Sequence, residues 1–170
     1  VVAVTTGILD LLTEKELRGV IAHEMAHIKN RDILVVTIAA TIAGVISYVA
    51  SMVKWAAIFG GMRDDRDGGG NIVGALAIAI ITPIIALLIQ LAISRSREYL
   101  ADETGAKFIH DPLSLASALE KLSGENKKHP MDESAAPTSS MFIVNPLRGG
   151  GVMELLSTHP PMKERVARLK

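Results

Sequence analysis

The pentapeptide at residues 23–27, His-Glu-Met-Ala-His, has the residue types and spacing of a zinc hydrolase motif. Residues four apart on an α-helix lie on one face, about one turn from each other. His23 and His27 could therefore hold one metal ion at roughly 2.0–2.1 Å from each imidazole. Glu24, beside the first histidine, could then remove a proton from a water bound to that metal. The pattern fixes only three residues, so its surroundings decide whether it is a site.

The residues before the pentapeptide predict a helix. Thr13 and Glu16 fit a capping box, in which each side chain satisfies a free backbone N–H at the start of a helix. Apolar residues then recur at helical spacing, and no proline interrupts them before Asn30. We therefore predict one helix from Glu14 to Lys29. The alternative is that the two histidines are ordinary polar residues of an amphipathic helix.

A catalytic zinc ion keeps three protein ligands and leaves a fourth position for water or substrate. The chain contains no cysteine, which excludes thiolate ligands. Glu98 and Asp102 are four apart in a second predicted helix, so one could bind the metal while the other orients a histidine ring. A solvated surface with local ion pairs would give the same pattern. The histidines outside the pentapeptide are His110, His129 and His159.

Two uncharged segments separate the pentapeptide from Glu98. Residues 33–53 carry no charge over 21 residues, and residues 72–93 carry none over 22. A helix needs ~20 apolar residues to cross the hydrocarbon core, so each segment could span a bilayer. The alternative is a pair of buried helices in a soluble core, but a domain of 170 residues is small to enclose both. We therefore predict two spanning helices joined by a loop at residues 54–71.

A hairpin of two spans returns the chain to the side it left, so the pentapeptide and Glu98 can lie on the same side of the membrane. Basic residues near the spans are more numerous on that side than in loop 54–71, and the positive-inside rule then places the catalytic side in the cytoplasm. The absence of cysteine fits a reducing compartment. The zero net charge and the lack of a basic stripe give no reason to expect a nucleic-acid partner.

Four stretches resemble the HtpX family of membrane-bound zinc metalloproteases and occur in that family's order. They are Val-Thr-Thr-Gly-Ile-Leu at 4–9, the pentapeptide, Arg-Glu-Tyr-Leu-Ala-Asp at 97–102 and Ser-Thr-His-Pro-Pro at 157–161. The resemblance covers essentially the whole chain. Relatives in the family carry further spans upstream, so we expect this chain to be the C-terminal part of a longer protein.

This resemblance implies a gluzincin arrangement with one zinc ion per chain. The implied zinc ligands are His23, His27 and Glu98, with Glu24 as the general base and Asp102 as a supporting residue. The implied activity is that of a membrane endopeptidase, whose substrates are misfolded or damaged membrane proteins.

His159 is followed by two prolines, which restrict its backbone. In the family this motif approaches the metal, but a fourth protein ligand would close the site to substrate. We therefore predict that His159 stabilises the oxyanion of the tetrahedral intermediate or holds substrate. The alternative is a purely structural histidine in a loop. Tyr99 is a second candidate oxyanion donor; the alternative is that its position on the helix directs it away from the metal.

The predicted fold is mainly α with a small β-sheet, a gluzincin-like metalloprotease domain interrupted by a two-helix transmembrane hairpin. Residues 1–32 and 94–170 form the two halves of the catalytic domain, and residues 33–93 form the hairpin. We predict strands at 1–6 and 141–144. Further helices are predicted at 101–109, 113–122 and 161–169, with a polar loop at 123–140.

Two other functions use some of the same residues. An intramembrane site-two-type protease also carries a His-Glu-x-x-His helix, but inside the membrane and with an Asp as third ligand. The charged residues at 14, 15, 16 and 18 argue against burial of this helix in lipid. A non-catalytic metal-binding membrane scaffold would keep both histidines but would have no use for Glu24. A zinc transporter would need ligands within the spans, where none occur.

Overall fold

The computed structural model describes residues 3–60, 69–128, 157 and 159–170. Within them the chain forms six helices. By contacts the chain divides into a unit of residues 1–33 and 94–170 and a unit of residues 34–93. The helices are α1 (Thr6–Leu11), α2 (Glu14–Lys29), α3 (Asp32–Gly60), α4 (Gly69–Ile109), α5 (Pro112–Lys128) and α6 (Met162–Leu169).

Helix α2 carries the pentapeptide and has the bounds that the sequence predicts. The predicted capping box is present: the Thr13 hydroxyl accepts a hydrogen bond from the Glu16 backbone N–H, and the Glu16 carboxylate accepts one from the Thr13 N–H at 2.8 Å. At the other end, Asn30 caps the helix and Arg31 adopts a φ of 53°. This left-handed residue separates the end of α2 from the start of α3 at Asp32.

The core of the first unit lies where α5 packs against both α2 and α6. Gly19 lets α2 approach α5 closely, since a Cβ built there would lie 3.0 Å from the backbone of Leu115. The apolar side chains that fill this core come mainly from α2, α5 and α6. They are Leu12, Val20, Leu115, Ala116, Ala118, Leu119, Val166 and Leu169.

Polar contacts also fix α2 against α5. The buried Glu16 carboxylate accepts hydrogen bonds from the Ser117 hydroxyl at 2.6 Å and from Lys121 Nζ at 2.7 Å. Burial by itself would raise the pKa of Glu16, but the hydrogen bonds from Lys121, Ser117 and Thr13 outweigh it and lower the pKa to about 2. The residue that caps α2 therefore also sets the position of α2 on α5.

The prediction of a small β-sheet is wrong: the described part of the chain is helical and contains no strand. Residues 3–5 of the predicted strand at 1–6 form no strand and Thr6 begins α1, because the Thr5 hydroxyl accepts a hydrogen bond from the Ile8 N–H and caps that helix. A local cap satisfies backbone groups that an isolated strand leaves unpaired. The predicted strand at 141–144 lies outside the described residues. Helix α5 extends to Lys128, so residues 123–128 of the predicted loop are helical.

Helices α3 and α4 are each long and apolar enough to cross a membrane, by length and composition. Within the second unit their large apolar side chains are mostly exposed, including Ile42, Val45, Ile80 and Leu88. Exposing so many apolar side chains to water is unfavourable, at ~25 cal/mol per Å², whereas hydrocarbon would solvate them. Both helices run beyond the uncharged segments, and α3 includes Trp55, whose ring stacks on Phe59.

Candidate metal centre

Side chains from α2 and α4 converge to form a group that could hold a metal ion. One ligand atom from each of His23, His27 and Glu98 lies within 4.8 Å of the others. The two Nε2 atoms are 3.1 Å apart, and the Glu98 carboxylate oxygens lie 3.7 Å from His23 Nε2 and 3.8 Å from His27 Nε2. Within the part of the chain that the structure describes, Asp102 does not belong to this group of potential ligands. The geometry therefore favours Glu98 over Asp102 as the third ligand.

The carboxylates beside the two histidine rings favour a cation between the rings. His27 Nδ1 lies 2.6 Å from Asp32 Oδ2, and His23 Nδ1 lies 2.9 Å from Asp102 Oδ1. These carboxylates favour the tautomer with the proton on Nδ1, which leaves the lone pair on Nε2. Two Nε2 lone pairs that face each other at 3.1 Å repel, and a metal ion bound by both removes that repulsion. Glu98 Oε2 is buried and has no hydrogen-bond partner among the described residues. Two imidazoles and one carboxylate are a donor set that zinc prefers.

Asp102 lies behind His23 and faces away from the ligand group. Its Oδ1 is 2.9 Å from His23 Nδ1, a close contact that can orient the ring although it lacks standard hydrogen-bond geometry. Arg165, on α6, donates to both Asp102 oxygens at 2.7 Å. The prediction that Asp102 supports the site agrees with this arrangement but is not tested by it.

Arg165 is a residue that the sequence analysis missed. Its side chain is fully buried, and Nη1 also lies 3.3 Å from Glu98 Oε2. Burial by itself would lower the pKa of Arg165, but the hydrogen bonds to Asp102 and the charges of Asp102 and Glu98 raise it. A permanent positive charge thus lies beside two site carboxylates. The available signals were its position directly after Met-Lys-Glu, near the start of the predicted terminal helix, and its nearness in sequence to His159.

Asp32 and Arg97 were also missed as site residues. His27 Nδ1 is 2.6 Å from Asp32 Oδ2, and Arg97 Nε donates to Asp32 Oδ1 at 2.6 Å. Arg97 opens the 97–102 stretch that resembles the HtpX family, but neither it nor Asp32 was assigned a role in the site. A carboxylate five residues after the second histidine was the available signal.

The model of peptidase family M48 matches residues 1–170. The chain belongs to peptidase family M48. It is 57% identical over 172 residues to a protease HtpX homolog of Syntrophobacter fumaroxidans, covering 100% of this chain and 61% of that protein. The corresponding protein of Thermodesulfovibrio yellowstonii is 60% identical over 170 residues, covering 100% of this chain and 60% of its own. The resemblance to the HtpX family is therefore confirmed.

A third relative gives a similar match. The protease HtpX homolog of Thermococcus kodakarensis is 55% identical over 170 residues, covering 100% of this chain and 59% of that protein. This chain thus spans about three fifths of the length of these relatives. No solved structure matches it.

Glu24 is the predicted general base of this M48 chain and lies exposed on α2, next to the buried His23. Solvent and a substrate can therefore reach its carboxylate. Its negative charge also contributes to the raised pKa of Arg165. Glu24 is thus available at the edge of the metal centre, and its role in proton transfer stays a prediction.

His159 lies beside the metal centre without belonging to the ligand group. Its Nδ1 is 3.5 Å from Glu98 Oε2, and neither buried ring nitrogen has a hydrogen-bond partner among the described residues. Tyr99 makes its contacts with α6: its hydroxyl donates to Glu164 at 2.6 Å, and the Arg168 guanidinium lies 3.7 Å from the ring centroid. His110 is exposed at the end of α4, and His129 lies outside the described residues.

Proposed function

We propose that this chain forms the catalytic part of a membrane-bound, zinc-dependent endopeptidase with one zinc ion per chain. The observation that carries the proposal is the convergence of His23, His27 and Glu98 from two helices into one ligand group. Membership of peptidase family M48 supports a peptide bond as the bond that is cleaved. The exposed Glu24 on the same helix as both histidines supports hydrolysis over simple metal storage.

Zinc bound by these residues would polarise the scissile carbonyl and make water more acidic. Glu24 takes the proton from the attacking water and later gives it to the leaving amine. Asp102 holds His23 by its Nδ1 atom, so that Nε2 is directed to the ligand group. His159 directs a buried N–H to the oxygen on which negative charge develops.

The proposed substrates are membrane proteins, including misfolded or damaged ones. Support comes from the exposed apolar surfaces of α3 and α4, which are suited to a lipid bilayer. Residues 23–32 precede the first apolar segment and Glu98 follows the second, so both ligand-bearing stretches adjoin a span in sequence. We place the catalytic side in the cytoplasm on the distribution of basic residues.

The test separates metal binding from catalysis in the protein purified in detergent. Glu24→Gln should bind zinc as the parent does and lose cleavage of an unfolded test protein. Glu14→Gln, an exposed glutamate on the same helix, is the matched control and should leave both unchanged. A Glu24→Gln variant that cleaves at the parent rate would exclude Glu24 as the base.

Zinc content measures the ligand assignments separately. His23→Ala and His27→Ala should abolish stoichiometric zinc binding, and Glu98→Gln should weaken it because one anionic ligand is lost. Zinc bound without any cleavage by the parent protein would instead support the metal-binding scaffold. Unchanged zinc affinity in Glu98→Gln would move the third ligand to another residue.

A further inference from the structure

The second histidine of the ligand group has a carboxylate of its own. Asp32 is buried, and its Oδ2 lies 2.6 Å from His27 Nδ1. The other oxygen, Oδ1, accepts hydrogen bonds from both Nε and Nη2 of Arg97. Each oxygen of Asp32 therefore has a separate partner, and rotation of the carboxylate would break contacts on both sides.

The turn between α2 and α3 brings Asp32 back to His27. Asn30 caps α2, Arg31 adopts the left-handed region that residues other than glycine seldom enter, and Asp32 begins α3. Arg97 Nη2 also donates to the Asn30 carbonyl at 2.9 Å, which ties the turn to α4. Arg97 thus holds both the carboxylate and the backbone that presents it.

The same arrangement occurs around His23. There Asp102 lies at Nδ1 and Arg165 donates to both of its oxygens. Each histidine of the ligand group therefore faces an aspartate, and each aspartate is held by an arginine. Partners of this kind set the tautomer and ring orientation of metal-binding histidines.

We propose that Asp32 and Arg97 are positioning residues for the metal ligand His27. Asp32 keeps the proton of His27 on Nδ1 and its lone pair on Nε2, and Arg97 keeps Asp32 in place. Arg97 precedes Glu98 on α4. The same helix therefore carries the third proposed metal ligand and the arginine that holds Asp32 beside His27. This inference rests on the proposed function, because it needs His27 to bind metal.

The experiment measures zinc affinity of the full chain in detergent by competition with a chromophoric chelator. Asp32→Ala should lower the affinity about 10–100-fold, the usual effect of removing such a partner. Asp32→Asn keeps the shape and should lower it less, because an amide oxygen can still accept from Nδ1. Arg97→Gln should also lower the zinc affinity. Arg97→Lys should lower it less, because lysine keeps the positive charge, but not restore it fully, because lysine cannot donate from two nitrogens.

A double-mutant cycle tests whether Arg97 acts through Asp32. Arg97→Gln combined with Asp32→Ala should bind zinc no more weakly than Asp32→Ala alone, whereas independent effects would multiply. The visible spectrum of the cobalt(II)-loaded protein reports ligand geometry and should change in the Asp32 variants. Asp10→Asn and Arg18→Gln, exposed residues of α1 and α2, are charge-matched controls and should leave affinity and spectrum unchanged.

Parent-like zinc affinity and an unchanged cobalt spectrum in Asp32→Asn and Asp32→Ala would overturn the inference while leaving the proposed function intact. If the fold losses in zinc affinity of the two single variants multiply in the double variant, Arg97 does not act through Asp32. Failure of the parent protein to bind zinc would instead remove the proposed function itself. Circular dichroism measures whether each variant keeps its helices. If Asp32→Ala does not fold, the zinc affinity and cobalt spectrum of Asp32→Asn alone test the inference.

Discussion

Gly105 of α4 lies directly against the backbone of His23 on α2. A Cβ built at position 105 would be 2.9 Å from the His23 backbone nitrogen and 3.0 Å from its Cα. Real side chains essentially never approach backbone atoms this closely, so only glycine fits without movement of a helix. The same stretch of α4 carries Glu98 and Asp102, which both need α4 close to α2 to reach His23.

We therefore predict that Gly105→Ala separates α2 from α4 at the metal centre. The variant should bind zinc at least about 10-fold more weakly and lose about 1–3 kcal/mol of stability, as overpacked sites do. Chelator competition and unfolding curves measure the two effects. Gly124→Ala is the matched control, because Gly124 is also helical and a Cβ built there meets nothing within 4 Å. This variant should gain ~0.5–1 kcal/mol in its free energy of unfolding. Equal behaviour of the two variants would contradict the prediction.

We predict that His159 acts on the transition state and does not bind the metal. Its ring is buried beside Glu98, with Nδ1 3.5 Å from Glu98 Oε2, and within the described residues neither ring nitrogen makes a hydrogen bond of standard geometry. An N–H of this ring could therefore meet a developing oxyanion. His159→Ala should keep its zinc content and lower kcat by ~10²-fold, by analogy with loss of one oxyanion donor. KM should change little, because the contact strengthens only as charge develops. Loss of zinc would make His159 a ligand, and full activity would make it structural.

We predict that Glu16 makes the first unit sensitive to acid. Because its pKa in the folded protein is about 2, below the ordinary value of 4.5, its contribution is complete above about pH 4.5 and is lost as the pH falls towards 2. At pH 7, Glu16→Gln should be less stable by about 1–2 kcal/mol. This allows for solvent screening of the pair with Lys121, whose side chain is 41% exposed. Unfolding curves at several pH values measure the difference.

The difference between parent and Glu16→Gln should narrow between about pH 4.5 and 2, because the parent then protonates the same carboxylate. Asp10→Asn, an exposed residue of α1, serves as the control and should show no comparable narrowing. A gap that stays constant through this range would mean that Glu16 stabilises the unit by packing and not by its charge.

We predict that both metal-binding stretches lie on the cytoplasmic side of the membrane. The chain has no cysteine, so Gly68→Cys and Ser96→Cys each introduce a unique thiol. An impermeant thiol reagent added to intact cells should label position 68 and not position 96. Labelling of both sites, or of position 96 alone, contradicts the orientation. Recovery of the protein in the soluble fraction after membranes are pelleted would contradict the spans themselves.

The sequence by itself determined the parts of this protein that depend on neighbouring residues. Helix α2 has the predicted bounds because its start is a capping box within four residues of the chain, and helical spacing alone places His23 and His27 on one face. The two apolar helices follow from composition over ~20 residues. The sheet prediction failed because a strand needs a distant partner, while Thr5 could cap a helix locally.

Tertiary structure decided the rest of the metal centre. Spacing allowed either Glu98 or Asp102 to be a ligand, and only the packing of α4 on α2 directs Glu98 to the histidines and Asp102 behind one of them. The same packing brings Arg97 to Asp32, and the position of α6 brings Arg165 to Asp102, although helical spacing alone predicts neither contact. The fully buried charge of Arg165 must be paired, and its partner Asp102 lies 63 residues away along the chain. The half-buried Arg97 and its partner Asp32 lie 65 residues apart. Such pairs form only when the helices meet in space.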